Sequence, residues 1–258
     1  MADDDVRKAG ANPPARFQVG GRLFTYDKRL LPHPYLAELE PREIDPEFER
    51  LSASLGESGP EARETRQAWV QASARWLADS ELSLGYPGWN LLYFSLLCSI
   101  HPRRREAVII ETGTNMGGST IVMAQALKDL GIEGRVQTVE LDGDLVEIAK
   151  RHVERAGLSD YVSFNVGNSL DFLSRLPDDP GVDFAFIDDL HEYEHVVKEI
   201  DVICPKVAAR GGKAYFDNAA VGDVARAMQY LRENHGGNVV EFANCSWRPP
   251  GNAIWQPD

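Results

Sequence analysis

Val108-Ile109-Ile110-Glu111-Thr112-Gly113-Thr114-Asn115-Met116-Gly117-Gly118-Ser119-Thr120 is the stretch on which the fold turns. Val108 to Ile110 is apolar, β-branched and too short for a helix, so it reads as a buried strand of a parallel sheet. The run stops at an acid, Glu111, and breaks into glycines. Gly113, Gly117 and Gly118 permit a tight turn whose backbone can approach a ligand, and Ser119 and Thr120 are expected to cap a helix that runs on to Leu130. Strand, glycine turn and helix together build a nucleotide site.

Outward from this stretch the rhythm is regular. Strands are expected at 107–111, 135–140, 162–166, 182–187, 212–216, 239–242 and 252–255, and helices at 119–130, 144–156, 169–175, 191–207 and 221–234. Such alternation implies an α/β fold, a parallel sheet with helices on both faces. Only a Pro249-Pro250-Gly251 turn region separates the last two strands, so they should pair as an antiparallel hairpin.

The chain ahead of this region is less regular. Residues 1–22 are polar, carry Asp3 to Asp5 and Pro13-Pro14, and read as a loose tail. Residues 23–105 form an arm and helices, with a short helix within 46–59 and an amphipathic one over 61–79 that interleaves Trp69 and Trp76 with Ala68, Ala72 and Leu77. Gly85, Pro87 and Gly88 make a loop around Tyr86, and Asn90 opens an apolar helix to Ile100. Tyr86, Trp89 and Tyr93 are candidate walls of a substrate pocket, and the apolar N-terminal helices are a candidate dimer surface. Residues 106–258 form the nucleoside-binding domain.

The 258 residues carry a net charge of -13 with no basic block to offset it, which argues against a nucleic-acid backbone or an anionic membrane as partner. Arg103 to Arg105 reads as a solvated turn. Cys98, Cys204 and Cys245 are odd in number and widely spaced, which fits free thiols in a reducing compartment. With no apolar span and no leader pattern at Met1, a cytoplasmic protein is expected.

The glycine spacing narrows the ligand. The turn lacks the close first pair of G-x-G-x-x-G, which counts against NAD, and no lysine follows to make a phosphate loop. Glu140 ends the second strand, where an acid can accept from both hydroxyls of a ribose.

With these features residues 106 to the C-terminus resemble the class I S-adenosylmethionine-dependent methyltransferases. Glu111 to Ser119 is similar to the E-x-G-x-x-x-G-x-S turn of the catechol-type O-methyltransferases, and the antiparallel final hairpin is a mark of the same seven-stranded, Rossmann-like sheet. The resemblance implies that Glu111, Gly113, Thr114, Asn115, Gly117 and Ser119 serve the methionine end of the cofactor. Glu140 would then hold its ribose, Asn168 and Ser169 would lie beside its adenine, and Asp188 would meet it from the fourth strand.

Asp188 and Asp217-Asn218 end the fourth and fifth strands, at the edge where open α/β sheets bind ligands. Three hard oxygen donors with open positions suit Mg²⁺ or another divalent ion better than zinc. In the catechol-type enzymes an acid and an Asp-Asn pair at these places are the metal ligands. Their general base, a lysine three residues after the first acid, is His191 here. In that respect the chain resembles metal-dependent O-methyltransferases of natural-product pathways, including those acting on macrolide and aminocoumarin sugars. The resemblance implies methyl transfer to a hydroxyl of a small molecule, with His191 as base. Asp189 is either a spare ligand or a helix cap.

Two other readings compete. His191-Glu192-Tyr193-Glu194-His195 spells H-E-x-x-H, in which two histidines on one helix face would bind zinc and Glu192 would act as the base of a hydrolase. A methyltransferase-like domain that binds the cofactor without turnover is the non-enzyme reading.

Overall fold

The computed structural model describes residues 15–19, 22–26, 33–36, 88–101, 103–179, 181–220, 222–241 and 251–258. The expected helices within 46–59 and over 61–79, and Tyr86, lie outside them. The dimer surface expected of those helices therefore has no structural description.

Ala15–Val19 (β1) and Arg22–Tyr26 (β2) pair as a short antiparallel hairpin. It crosses the boundary that composition placed at residue 22, because Phe17 alternates with Val19 and Phe24 with Tyr26, a pattern that supports strands even in a polar stretch. The helix Gly88–Ser99 (α1) follows. Then comes the alternation: Glu106–Thr112 (β3), Gly118–Leu130 (α2), Glu133–Glu140 (β4), Gly143–Arg155 (α3), Val162–Val166 (β5), Ser169–Arg175 (α4), Phe184–Ile187 (β6), Tyr193–Arg210 (α5), Lys213–Phe216 (β7), Gly222–Asn234 (α6), Asn238–Glu241 (β8) and Ala253–Gln256 (β9).

The seven strands after the hairpin form one sheet in the order β5-β4-β3-β6-β7-β9-β8. The first five are parallel, and β9 lies antiparallel between β7 and β8. This is the seven-stranded, Rossmann-like sheet with an antiparallel last strand expected from the sequence. Each face carries its own apolar layer. Trp89, Leu92 and Leu96 of α1 and Ile121, Val122 and Met123 of α2 pack with Ile109 on one side. Ile200, Ile203 and Val207 of α5 and Ala227, Met228 and Leu231 of α6 pack with Ile110 on the other. Ile109 and Ile110 thus point to opposite layers, as adjacent residues of a doubly covered strand must.

Chain direction reverses its progress across the sheet at β3, since β4 lies on one side of it and β6 on the other. A crevice opens at such a switch point, at the carboxyl ends of the strands. Glu111, Glu140, Asp188 and Asp217 all stand at or just beyond those ends.

The opposite end of the sheet is tied by charge. Asp183 is buried, and its carboxylate meets Arg210 Nε at 2.6 Å and Arg104 Nε at 3.2 Å while accepting from Val108 N at 2.9 Å. Arg104 is therefore a structural partner, which corrects the reading of Arg103 to Arg105 as a merely solvated turn. A buried carboxylate recruits cations from far along the chain, and composition alone does not show it.

Candidate active site

The glycine turn rests on a buried acid. Glu111 is inaccessible to solvent, and Ser119 Oγ and Thr120 Oγ1 donate to its two carboxylate oxygens at 2.5 and 2.6 Å. These hydroxyls therefore do not cap α2, as the sequence suggested. Gly117 occupies the cap in the left-handed region, with φ 87, and makes no side-chain cap. Burial raises the Glu111 pKa to about 7, against the pull of the hydroxyls.

An acid raised in the folded state binds protons that the unfolded chain has already lost, so stability should fall as pH rises from about 4.5 to about 7. The shift corresponds to roughly 3 kcal/mol. Urea unfolding of Glu111→Gln across that range should show most of this slope removed. An unchanged slope would mean that Glu111 is not the group responsible.

Around the turn the contacts are tight. Gly113, with φ +84, donates its N–H to Val139 O at 3.0 Å, and a Cβ placed on it would sit 2.0 Å from the Asp188 carbonyl oxygen. The turn therefore touches the loop that carries the first metal-type acid. Thr114 Oγ1 and Thr138 Oγ1 share a buried hydrogen bond of 2.5 Å. Asn115, at φ 47, donates its backbone N–H to Glu140 Oε2 at 3.0 Å, and Asp142 N donates to Oε1 at 3.1 Å. Each Glu140 oxygen is thus held by one backbone donor and retains acceptor capacity for a hydroxyl. His152, which the sequence did not flag, bonds Met116 O through Nδ1 at 2.8 Å and braces the turn from α3.

Asn168 and Ser169 both have partners within the chain. Asn168 caps α4, its Oδ1 accepting from Leu170 N and Asp171 N. Ser169 is buried and its Oγ bonds His195 Nε2 at 3.0 Å. Of the two, Asn168 is exposed and Ser169 is buried. Leu141, Val166 and Leu190 are large apolar residues exposed at this edge, just beyond the ends of β4, at the end of β5, and beyond β6. The sequence reading did not single them out.

The wall residues expected ahead of the domain are core residues where they are described. Trp89 is buried, its ring 3.6 Å from where a Gly118 Cβ would stand. Tyr93 is also buried and its hydroxyl donates to Asp129 Oδ2 at 2.6 Å. Both belong to the layer beneath the turn.

Two of the expected metal donors, Asp188 and Asn218, both meet His191. Asp188 follows β6 and Asp217 follows β7, its neighbour in the sheet. His191 Nε2 lies 3.3 Å from Asp188 Oδ1 and 2.7 Å from Asn218 Nδ2. The histidine thus bridges the two strand ends. The amide nitrogen of Asn218 faces the ring, which leaves its Oδ1 for another partner. Asn218 adopts φ 56, a conformation that asparagine tolerates better than most residues. The side chain of Asp188 is 2% exposed and that of His191 46% exposed, so a buried carboxyl sits beneath an accessible imidazole. Carboxylates at adjacent strand ends with an amide oxygen fit a hard divalent ion.

One positioning residue had no sequence signal. Asn252 is buried next to β9, and its Nδ2 donates to Asp217 Oδ1. The pairing of Phe216 with Ala253 brings the two residues together. Hydrogen bonds to a charged group contribute about 1.5–3 kcal/mol. Asn252→Ala should lower the thermal midpoint by several degrees, and Asn252→Asp, which faces Asp217 with a like charge, by more. Equal melting of both variants and the parent would remove this role.

The H-E-x-x-H reading fails on geometry. The helix α5 begins at Tyr193, so His191 precedes it and the two histidines do not share a helical face. His191 turns to Asp188 and Asn218. His195 turns to Ser169 and to Asp189 Oδ2, 3.1 Å away. Asp189 is consequently no helix cap. A cavity beside these groups is lined by Asp189, Leu190, His191, Glu199, Phe216 and Asp217.

Comparisons with known proteins bear on the fold and on residues 110–219. Residues 110–219 match the family described as "Methyltransferase domain". A catechol O-methyltransferase of Mycobacterium tuberculosis is 34% identical over 126 residues, 49% of this chain and 54% of that protein. Another from Niastella koreensis is 38% identical over 82 residues, 31% of this chain and 36% of that protein. The chain thus spans about half the length, or less, of these curated relatives. A solved methyltransferase from Geobacter sulfurreducens superposes with TM-score 0.56 at 19% identity, covering 83% of this chain and 97% of that one, which shows the shared fold. Sheet order and glycine turn agree with the match of residues 110–219 to a methyltransferase domain.

Proposed function

We propose that the chain is a divalent-metal-dependent O-methyltransferase that moves a methyl group from S-adenosylmethionine to a hydroxyl of a small molecule, a catechol-type phenol or a natural-product sugar. The observation that carries this is His191, set between Asp188 and Asn218 at the strand ends beside the Gly113 turn. The catechol O-methyltransferases it resembles support the phenol class.

Glu140 accepts from the ribose hydroxyls, and the turn from Gly113 to Gly117 seats the methionine end of the cofactor. Asp188, Asp217 and Asn218 would hold Mg²⁺. When bound there, the ion lowers the pKa of the acceptor hydroxyl. His191 takes the proton from that hydroxyl. The oxygen attacks the methyl carbon in line, a C–O bond forms, and the C–S bond breaks with its electron pair left on sulfur. The sulfonium becomes a neutral thioether. Most of the rate enhancement lies in holding oxygen, carbon and sulfur in line, with the oxygen anionic.

The test incubates the protein with methyl-labelled S-adenosylmethionine and either catechol or a sugar acceptor, with Mg²⁺ or with chelator. The expected result is a labelled methyl ether from one acceptor class, with turnover lost on chelation. Full turnover in chelator would remove the metal assignment. Cofactor binding without any transfer to either class would favour a binding domain.

A further inference from the structure

We infer that Asp189, His195 and Glu199 form a second divalent-cation site, distinct from Asp188, Asp217 and Asn218, that takes a borderline ion such as Zn²⁺ and pins the loop between β6 and α5. One donor atom from each of the three residues lies within 4.8 Å of the others. His195 Nε2 is 3.1 Å from Asp189 Oδ2 and 3.9 Å from Glu199 Oε1. Ligands around a tetrahedral ion with 2.0–2.2 Å bonds stand roughly 3.3–3.5 Å apart. The donors therefore need to close by no more than about 1.5 Å.

The second observation is Glu199 itself. It is fully buried, yet neither carboxylate oxygen has a hydrogen-bond partner, and Asp189 Oδ1 has none either. The polar neighbours of Glu199 are the carboxyl of Asp189 and the hydroxyls of Ser169 and Thr112. Buried carboxylate oxygens are expensive to leave unpaired, so such a group points to a missing partner. Two carboxylates and a neutral imidazole around a doubly charged ion also give a neutral buried cluster. Asp189 and Glu199 line the cavity, which supplies a route in.

One nitrogen and two oxygens select a different ion from the all-oxygen set at Asp188, Asp217 and Asn218. The site uses His195 of the H-E-x-x-H run but not His191. Asp189 adjoins Asp188 and lies two residues before His191, so an ion held here fixes the loop that presents both.

The test counts ions on the full chain by equilibrium dialysis and reads Co²⁺ as a visible-absorption probe. The parent should bind one more Co²⁺ than His195→Gln or the isosteric Glu199→Gln, and only the parent should show the absorption of a histidine-bound ion. In a double variant, Asp188→Asn with Asp217→Asn, that absorption should persist, which separates this site from the proposed catalytic metal. Zn²⁺ should raise the melting temperature of the parent and leave that of Glu199→Gln unchanged. Equal stoichiometry and identical spectra in parent and Glu199→Gln would overturn the site and leave a proton-sharing carboxyl pair. Loss of the absorption in the double variant alone would place the ion at Asp188 and Asp217 instead.

Discussion

Replacing Gly113 by alanine should lower the melting temperature by roughly 4–8 °C or more and weaken S-adenosylmethionine binding at least tenfold. Two costs combine. The first is conformational: at φ +84 an L-residue is strained by about 1–2 kcal/mol. The second is steric. The new Cβ would lie 2.0 Å from the Asp188 carbonyl oxygen and 2.7 Å from its carbon, and backbone cannot rotate away as a flexible side chain can. Relief requires the turn or the β6 loop to move, and either movement separates the cofactor seat from the donor acids. At about 2–4 °C per kcal/mol for a domain of this size, roughly 2 kcal/mol of conformational cost alone gives the stated shift, and the steric cost adds to it.

Gly157→Ala is the matched control. Gly157 also has positive φ, +68, but nothing lies within 4 Å of the added carbon. It should show the conformational cost alone and leave cofactor affinity untouched. Scanning calorimetry and cofactor titration on both variants decide the matter. If Gly113→Ala melts with Gly157→Ala and binds cofactor like the parent, the contact with Asp188 has no energetic weight.

What could be read from the sequence was whatever depends on neighbours along the chain. The strand before Glu111, the glycine turn and the alternation that follows are local patterns, and the sheet order grows from them by right-handed crossovers. The placement of Asp188, His191, Asp217 and Asn218 at one edge was legible because strand ends in a parallel sheet share an edge. Partnerships made across the fold were not. Ser119 and Thr120 look like caps in a window of five residues, but their hydroxyls turn back to Glu111, eight and nine residues earlier. Asn252 reaches Asp217 only because β9 enters between β7 and β8. Trp89 and Tyr93 follow a loop that reads as a pocket wall, yet burial under the turn stabilises them more than exposure at a rim would. The spacing of His191 and His195 implies a shared face only if both are helical, and the helix begins two residues too late.

His191→Gln should reduce turnover by about 10²–10⁴-fold while leaving cofactor affinity within a small factor of the parent. Glutamine keeps much of the imidazole's volume and can still bond Asp188 and Asn218, so the strand ends stay in place, but it cannot accept a proton. The pH–rate profile carries the distinction from a structural role. A histidine base must be neutral to act, so the parent should lose activity towards acid pH. The variant should lack that limb and instead gain rate steadily towards alkaline pH, where the acceptor hydroxyl ionises without help. A phenol, being more acidic than a sugar hydroxyl, should show this alkaline recovery sooner, so the same profile also reports the acceptor class. Full turnover in His191→Gln would place the base elsewhere among the groups lining the crevice. A loss of rate with the acid limb intact would leave His191 as a positioning residue that holds Asp188 and Asn218 together.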